Sequence, residues 1–201
     1  MRWLCAIAWI MLWSPAYPQT DSMALIRVHF LYGSKPKREF KETEVKYFGG
    51  LHGGHVSIQS GDTDYGFEPT ISRIHIFPKR HKQSAFATRE LNGQRRYSAD
   101  SKTVTFLIPV SQRQLNLLDS LHEAYCKTPP YDYAFFGMRC AAATQDLLAT
   151  AGIVQRKSRV ATILTSFYPK RLRKRLFKLA KAHGYRMIFS EGKTTRIWEK
   201  D

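Results

Sequence analysis

The chain has 201 residues, 43% of them hydrophobic and 13% aromatic, and a formal net charge of +16. That much apolar surface offsets chain entropy and excludes an intrinsically disordered protein; the length suits one domain with a sizeable core. The charge draws such a chain to anionic surfaces, whether lipid headgroups, acidic cell-wall polymers or nucleic acid.

Arg2, the eleven-residue apolar run Trp3 to Trp13 and the small-x-small site Ser14-Pro15-Ala16 make up the three parts of a secretory signal peptide. Cleavage is expected after Ala16. The run is shorter than the roughly 20 apolar residues a membrane span needs, and an uncleaved N-terminal anchor is the alternative. Cys5 comes too early to be a lipoprotein attachment site. This divides the chain into a signal peptide, 1–16, and a single domain, 17–201, that is secreted or periplasmic. Losing Arg2 takes the charge from +16 to +15. Cys126 and Cys140 remain, too few for a disulfide scaffold, although an oxidising compartment permits one bridge. Export also turns the expected partner of the basic surface from nucleic acid toward the envelope.

Ala24 to Tyr32 reads as a strand, rich in β-branched and aromatic residues. Lys35 to Lys46 is charged and reads as a loop or short helix. Gly49-Gly50 and Gly53-Gly54 frame a turn, followed by short strands at His55 to Ser60, Asp64 to Glu68 and Ile71 to Phe77. Ser60-Gly61-Asp62-Thr63 makes the first two a hairpin. Residues 79–102 are polar and basic without periodicity, predicting a long exposed loop, and Thr103 to Val110 is again a strand. Ser111 with Gln114 has the capping-box pattern of a helix start. Leu115, Leu118, Leu121 and Tyr125 then recur at helical spacing up to Pro129-Pro130. A second helix is expected from Cys140 to Thr150, with Gly152 as its stop, and a third from Lys170 to His183. Tyr185 to Phe189 and Thr195 to Glu199 close the chain as strands. The expected class is α+β, an antiparallel sheet with helices packed on a face.

Two segments point to chemistry. His55 opens a strand after a glycine turn, and Cys140 opens a helix. A thiol at a helix N-terminus lies near unpaired N–H groups and the positive end of the macrodipole, which favour thiolate. The same N–H groups can hold an oxyanion. A histidine across from the thiol can serve as general base and then general acid. Glu68, on the strand expected to pair with that of His55, is the first candidate to orient the imidazole, and Asp64 the second. Against this, a single cysteine is commonly a small buried hydrophobe, and a Cys126–Cys140 disulfide is the specific competitor. His52, in the glycine-rich turn, reads as exposed. The remaining histidines, among them His75 and His122, show no cysteine or carboxylate at metal-ligand spacing, so neither a metal nor another cofactor is expected.

The order His-Val-x-Ile, then Glu-Pro on the next strand, then Tyr-Asp and a cysteine opening a helix, resembles the circularly permuted NlpC-like branch of papain-fold thiol hydrolases. That branch includes YiiX-type proteins and the lecithin–retinol acyltransferase group. The resemblance covers about residues 45–152. It implies a papain-like NlpC-type fold with His before Cys, Cys140 as nucleophile, His55 as base and Glu68 as orienting acid. It also implies Tyr131 and Asp132 as residues that shape the substrate site, and Arg139 joins them as a substrate-binding candidate through its own charge. Arg139 departs from the Asn or aromatic common before the cysteine; its charge can stabilise a thiolate or hold an acidic substrate group, or mark a site that has drifted. The activity implied is a cysteine hydrolase or acyltransferase acting on envelope peptide, such as peptidoglycan peptide, or on lipid. The alternative is a non-enzymatic basic envelope-binding domain with a degenerate site.

Pro169 to Arg186 carries eight Lys or Arg and no acid, with Leu172, Leu176 and Leu179 on one face. The Lys170–Lys181 stretch reads either as an amphipathic helix that docks on anionic membrane or cell wall, or as a helix packed by its leucine face with a solvated basic side. Phe177 alone interrupts the basic run, which lacks the interleaved stacking aromatics of a nucleic-acid binder.

Overall fold

The computed structural model describes residues 23–47, 49–70 and 74–201. The expected signal peptide, 1–16, lies outside the described residues, as does the start of the expected strand Ile71 to Phe77.

In chain order the elements are β1 (Met23–Tyr32), β2 (Ser34–Pro36), β3 (Gly54–Ser60), β4 (Thr63–Pro69), β5 (Ser84–Glu90) and β6 (Lys102–Ser111). The helices α1 (Gln112–Lys127), α2 (Cys140–Thr150), α3 (Arg159–Thr165) and α4 (Pro169–His183) follow, then β7 (Arg186–Glu191) and β8 (Arg196–Trp198). Six strands form one antiparallel sheet in the order β5-β4-β3-β1-β6-β7, and β2 pairs with β8 in a separate small sheet. The class is therefore α+β, an antiparallel sheet packed against helices.

Period-two alternation gives the sheet an apolar and a polar face. Ile26, Val28 and Phe30 of β1 are buried beside Val56 and Ile58 of β3 and Phe106 and Ile108 of β6. Phe30 meets Phe106 edge-on, with ring centroids 5.7 Å apart. Burying one such side chain contributes about 1.5–3 kcal/mol, and these residues share one core with Leu118 of α1, Ala141 and Leu148 of α2, and Leu172 and Leu176 of α4. The polar face carries Arg27 and His29 of β1, opposite Gln59 and Ser57 of β3.

Local signals set the helix starts. Ser111 accepts from the Gln114 N–H while the Gln114 side chain accepts from the Ser111 N–H, a complete capping box. Pro169 stands in the first turn of α4, and Gly184 closes that helix at φ +69°. The leucine face of α4 is inside the protein together with Arg173, and Arg171, Lys174, Lys178 and Lys181 are what the helix offers to solvent.

Three elements differ from expectation. Residues 79–102 are not one long loop: β5 lies within them and pairs with all of β4 from Thr63 to Pro69. The open edge of β4 needs a hydrogen-bonding partner, and Phe86, packed against Phe67 with ring centroids 4.9 Å apart, gives β5 its apolar anchor. Residues 74–77 make an isolated bridge to Ala134 through His75 instead of a strand. The helix α3 is additional, capped by Ser158, whose hydroxyl accepts from the Ala161 N–H.

Candidate active site

Gly54 opens β3 at φ +91°, and a Cβ there would collide with the Leu31 carbonyl. Glycine alone lets the chain turn this close to β1. His55 follows, and its imidazole lies over Gly66 of β4, where an added Cβ would stand 3.0 Å from Nε2. The Nε2 atom is 3.5 Å from Oε1 of Glu68. Of the two expected carboxylates, Glu68 is thus the one facing the ring. Asp64, four residues earlier on β4, is buried and pairs with Arg96.

Glu68 is shared. Both its oxygens accept from Nη2 of Arg89, at 2.6 and 2.7 Å, and Nη2 of Arg96 stands 3.8 Å away. Burial lowers the His55 pKa to about 4; Glu68 opposes this, while Arg96 and Arg89 push it further down. The imidazole is neutral at pH 7, the form a general base requires.

Cys140 is the first residue of α2 and is buried. Burial pushes its thiol up, and four groups pull the other way: the Arg139 guanidinium, the Val56 N–H, the Tyr133 hydroxyl and the Ala141 N–H. The Val56 contribution is available because β3 pairs with β4 only from Ile58 to Ser60, leaving the two strands apart at His55. The chain thus brings Cys140 against the residue that follows His55. Among the described residues no hydrogen bond joins His55 to Cys140, and His55 Nε2 has no hydrogen-bond partner.

Cys126 and Cys140 are both free thiols, so no bridge joins them. Cys126 has its own imidazole: its sulfur lies 3.1 Å from His122 Nε2 and donates to the Phe86 carbonyl at 3.2 Å. That partner, one helical turn away, corrects the reading of His122 as having none; His75 likewise meets a carboxylate, Asp132, at 2.6 Å. Cys126 lies in the last turn of α1, away from any helix N-terminus. Among the described residues no group of three or more His, Cys, Asp or Glu side chains could hold a metal ion.

The three residues expected to bind substrate make these contacts. Tyr131 is in the core, edge-on to Phe67 at 5.1 Å. Asp132 is a buried clamp, accepting from His75 Nδ1 and from the backbone N–H groups of Lys79 (3.0 Å) and Gln83 (2.9 Å). Arg139 is 7% exposed, with its guanidinium 4.8 Å from the Phe167 ring and 5.6 Å from the rings of Phe135 and Tyr168. Its Nη1 has no hydrogen-bond partner.

Arg89, Arg96, Tyr97 and Tyr133 were not singled out from sequence. Tyr97 is half-buried, with its hydroxyl enclosed near the Ser57 hydroxyl and close enough to feel Cys140. Register alone delivers Arg89, opposite Asp64. A cavity of about 360 Å³ on the polar face is lined by Arg27, His29, Gln59, Arg95, Arg96 and Tyr97 among others, but by neither Cys140 nor His55.

No helix among the described residues is long and apolar enough to cross a membrane. No family model, no curated protein and no solved structure matches this chain.

Proposed function

We propose that this protein is an exported cysteine hydrolase or acyltransferase with a permuted NlpC-like, papain-type arrangement, acting on amide or ester bonds of envelope peptide or lipid. The observation that carries this reading is the setting of Cys140: first residue of a buried helix, where the Val56 and Ala141 N–H groups favour its thiolate, with His55 next in chain to Val56. The chain order, His55 on β3, Glu68 on β4, then Cys140 on α2, supports the permuted arrangement. In the reaction the Cys140 proton passes to His55 as the sulfur attacks the acyl carbon. The N–H groups stabilise the oxyanion, and the imidazolium returns the proton to the departing amine or alcohol. Water or a second acceptor then takes the acyl group from the thioester, with His55 as base. Glu68 and its two arginines hold the ring in orientation. A rotation of the imidazole must first close it onto the sulfur, a tightening common when substrate binds.

The test is labelling by a thiol-specific acyl probe, mapped by mass spectrometry. Labelling of Cys140 that falls sharply in His55→Ala is expected. Labelling that is absent, confined to Cys126, or unchanged in His55→Ala would refute the assignment.

A non-enzymatic binding domain is the second reading. It is favoured by the missing thiol–imidazole hydrogen bond and by the arginine-lined cavity away from Cys140. Salt-sensitive binding to anionic vesicles or cell-wall sacculi that survives Cys140→Ala, in a protein the probe does not label, would support it.

A further inference from the structure

The segment 74–78 and the segment 133–138, which leads into Cys140, run side by side. The Phe135 N–H donates to the His75 carbonyl at 2.7 Å and the Phe136 N–H to the Ile76 carbonyl at 2.8 Å. The Asp132 carboxylate pins the same loop at His75, Lys79 and Gln83. With its backbone fixed in this way, the loop presents large apolar side chains to solvent: Ile76 and Phe77 are each 64% exposed and Phe136 is 55% exposed. The rings form one ridge, Phe77 on Phe136 at 5.5 Å and Phe136 on Phe135 at 4.9 Å, continuing to Phe167 at 5.4 Å. A contiguous, held aromatic ridge is unlike the single exposed hydrophobes of an ordinary surface.

Charge identifies what covers it. Lys79, Arg80 and Lys82 follow Phe77 directly and are exposed. On the other side Phe167-Tyr168 leads into α4, where Arg171, Lys174 and Lys178 are exposed. Neither Asp nor Glu occurs between Glu68 and Glu90, or between Asp146 and Glu191. The one carboxylate in the 131–138 stretch, Asp132, is buried in its clamp. An apolar crest between two uncompensated basic flanks is complementary to a surface that is anionic at its headgroups and apolar just beneath them.

We propose that the Ile76-Phe77/Phe135-Phe136 ridge inserts into the interfacial region of an anionic lipid bilayer, with Lys79, Arg80 and Lys82 on the headgroups. The ridge abuts the nucleophile's neighbour, since Phe135 stacks on Arg139. Given the thiol-acyl chemistry proposed above, on which this step rests, the substrate is then a lipid acyl ester or amide presented at the membrane surface, not a diffusing peptide. The docking face is distinct from the leucine face of α4, which is spent on the core.

The experiment uses the full chain carrying Cys140→Ala, so that docking is read whether or not the thiol is catalytic. Co-flotation is measured with vesicles of phosphatidylcholine alone and with one-quarter phosphatidylglycerol. Binding to the anionic vesicles is expected, weakened about tenfold or more both by Phe77→Ser/Phe136→Ser and by Lys79→Glu/Arg80→Glu/Lys82→Glu. A Phe136→Trp protein should show a blue shift and quenching by brominated lipid. Equal binding to both vesicle types, or binding indifferent to the ridge substitutions, overturns the proposal; adsorption through α4 or residues 3–13 would give that result. Capture of an acidic protein without any vesicle binding overturns it as well. The exposed positions chosen leave the core intact, and unchanged thermal melting verifies this.

Discussion

Glu68 gives both carboxylate oxygens to a single nitrogen of Arg89, at 2.6 and 2.7 Å, while standing 3.5 Å from the imidazole of His55. The carboxylate is the attractive charge in the field on that ring, and the two arginines are the repulsive ones. Glu68→Gln therefore shifts the acid limb of kcat/KM below pH 4, where burial and Arg89 already hold it. Its cost in stability is small, under about 1 kcal/mol, because the Arg89 side chain is more than a third exposed. An acid limb that rises toward pH 6.5 in the variant would show that Glu68 does not govern the ring.

The same imidazole makes stability depend on pH. Its folded pKa, about 4, is below the ordinary 6.5 of an unfolded chain. The unfolded state then binds the proton more readily, so stability is complete above about pH 6.5 and declines as pH falls toward 4. The full shift corresponds to about 3 kcal/mol. Urea midpoints at pH 7 and pH 4.5 should fall further in the wild type than in His55→Gln; parallel losses would mean that other groups carry the acid sensitivity.

Arg139 is the charge nearest in consequence to the thiol. Burial raises the Cys140 pKa and the guanidinium offsets part of it. In a Cys126→Ala background, Arg139→Gln should slow alkylation of Cys140 by a neutral reagent several-fold between pH 7 and 9, with Arg139→Lys recovering part of the rate. Alkylation equally fast in Arg139→Gln would remove Arg139 from any role at the sulfur.

Arg173 is wholly buried in α4, pairing with Glu199 at 2.8 Å and Asp201 at 2.7 Å over the ring of Tyr32. Arg173→Met leaves the buried Glu199 unpaired and should cost about 3–5 kcal/mol. Adding Glu199→Gln to that variant should restore a large part, since the lone charge is then gone. Denaturation of the single and double variants decides it: no recovery in the double would assign the loss to packing alone.

What was legible in the sequence was local. Ser111 with Gln114 announced α1 from four residues, Gly152 and Gly184 marked helix ends, and His55, Glu68 and Cys140 could be named from the turns and strand or helix starts around them. β5 was not legible, because Thr88, Arg89 and Glu90 read as loop and one buried aromatic, Phe86, is too thin a signal; the strand is dictated by the edge of β4. Nor was α3, whose Val160 and Leu164 are exposed and so make no apolar stripe. The partners of the site, Arg89, Arg96, Tyr97 and Tyr133, arrive from strands, loops and turns distant in sequence, and no local pattern marks residues that only register and chain reversal bring together.

The parting of β3 from β4 beyond Ile58 has a consequence for how such a site can be lost or gained. An amide outside the β3–β4 ladder is a donor without a fixed address, and here the Val56 N–H works to lower the pKa of the Cys140 thiol. Two further rungs between these strands would return that donor to the sheet and close the wedge that admits the first turn of α2. If Cys140 is the nucleophile proposed above, its reactivity depends on where a hairpin stops zipping, a quantity that a change in the hairpin can tune without touching the cysteine or the histidine.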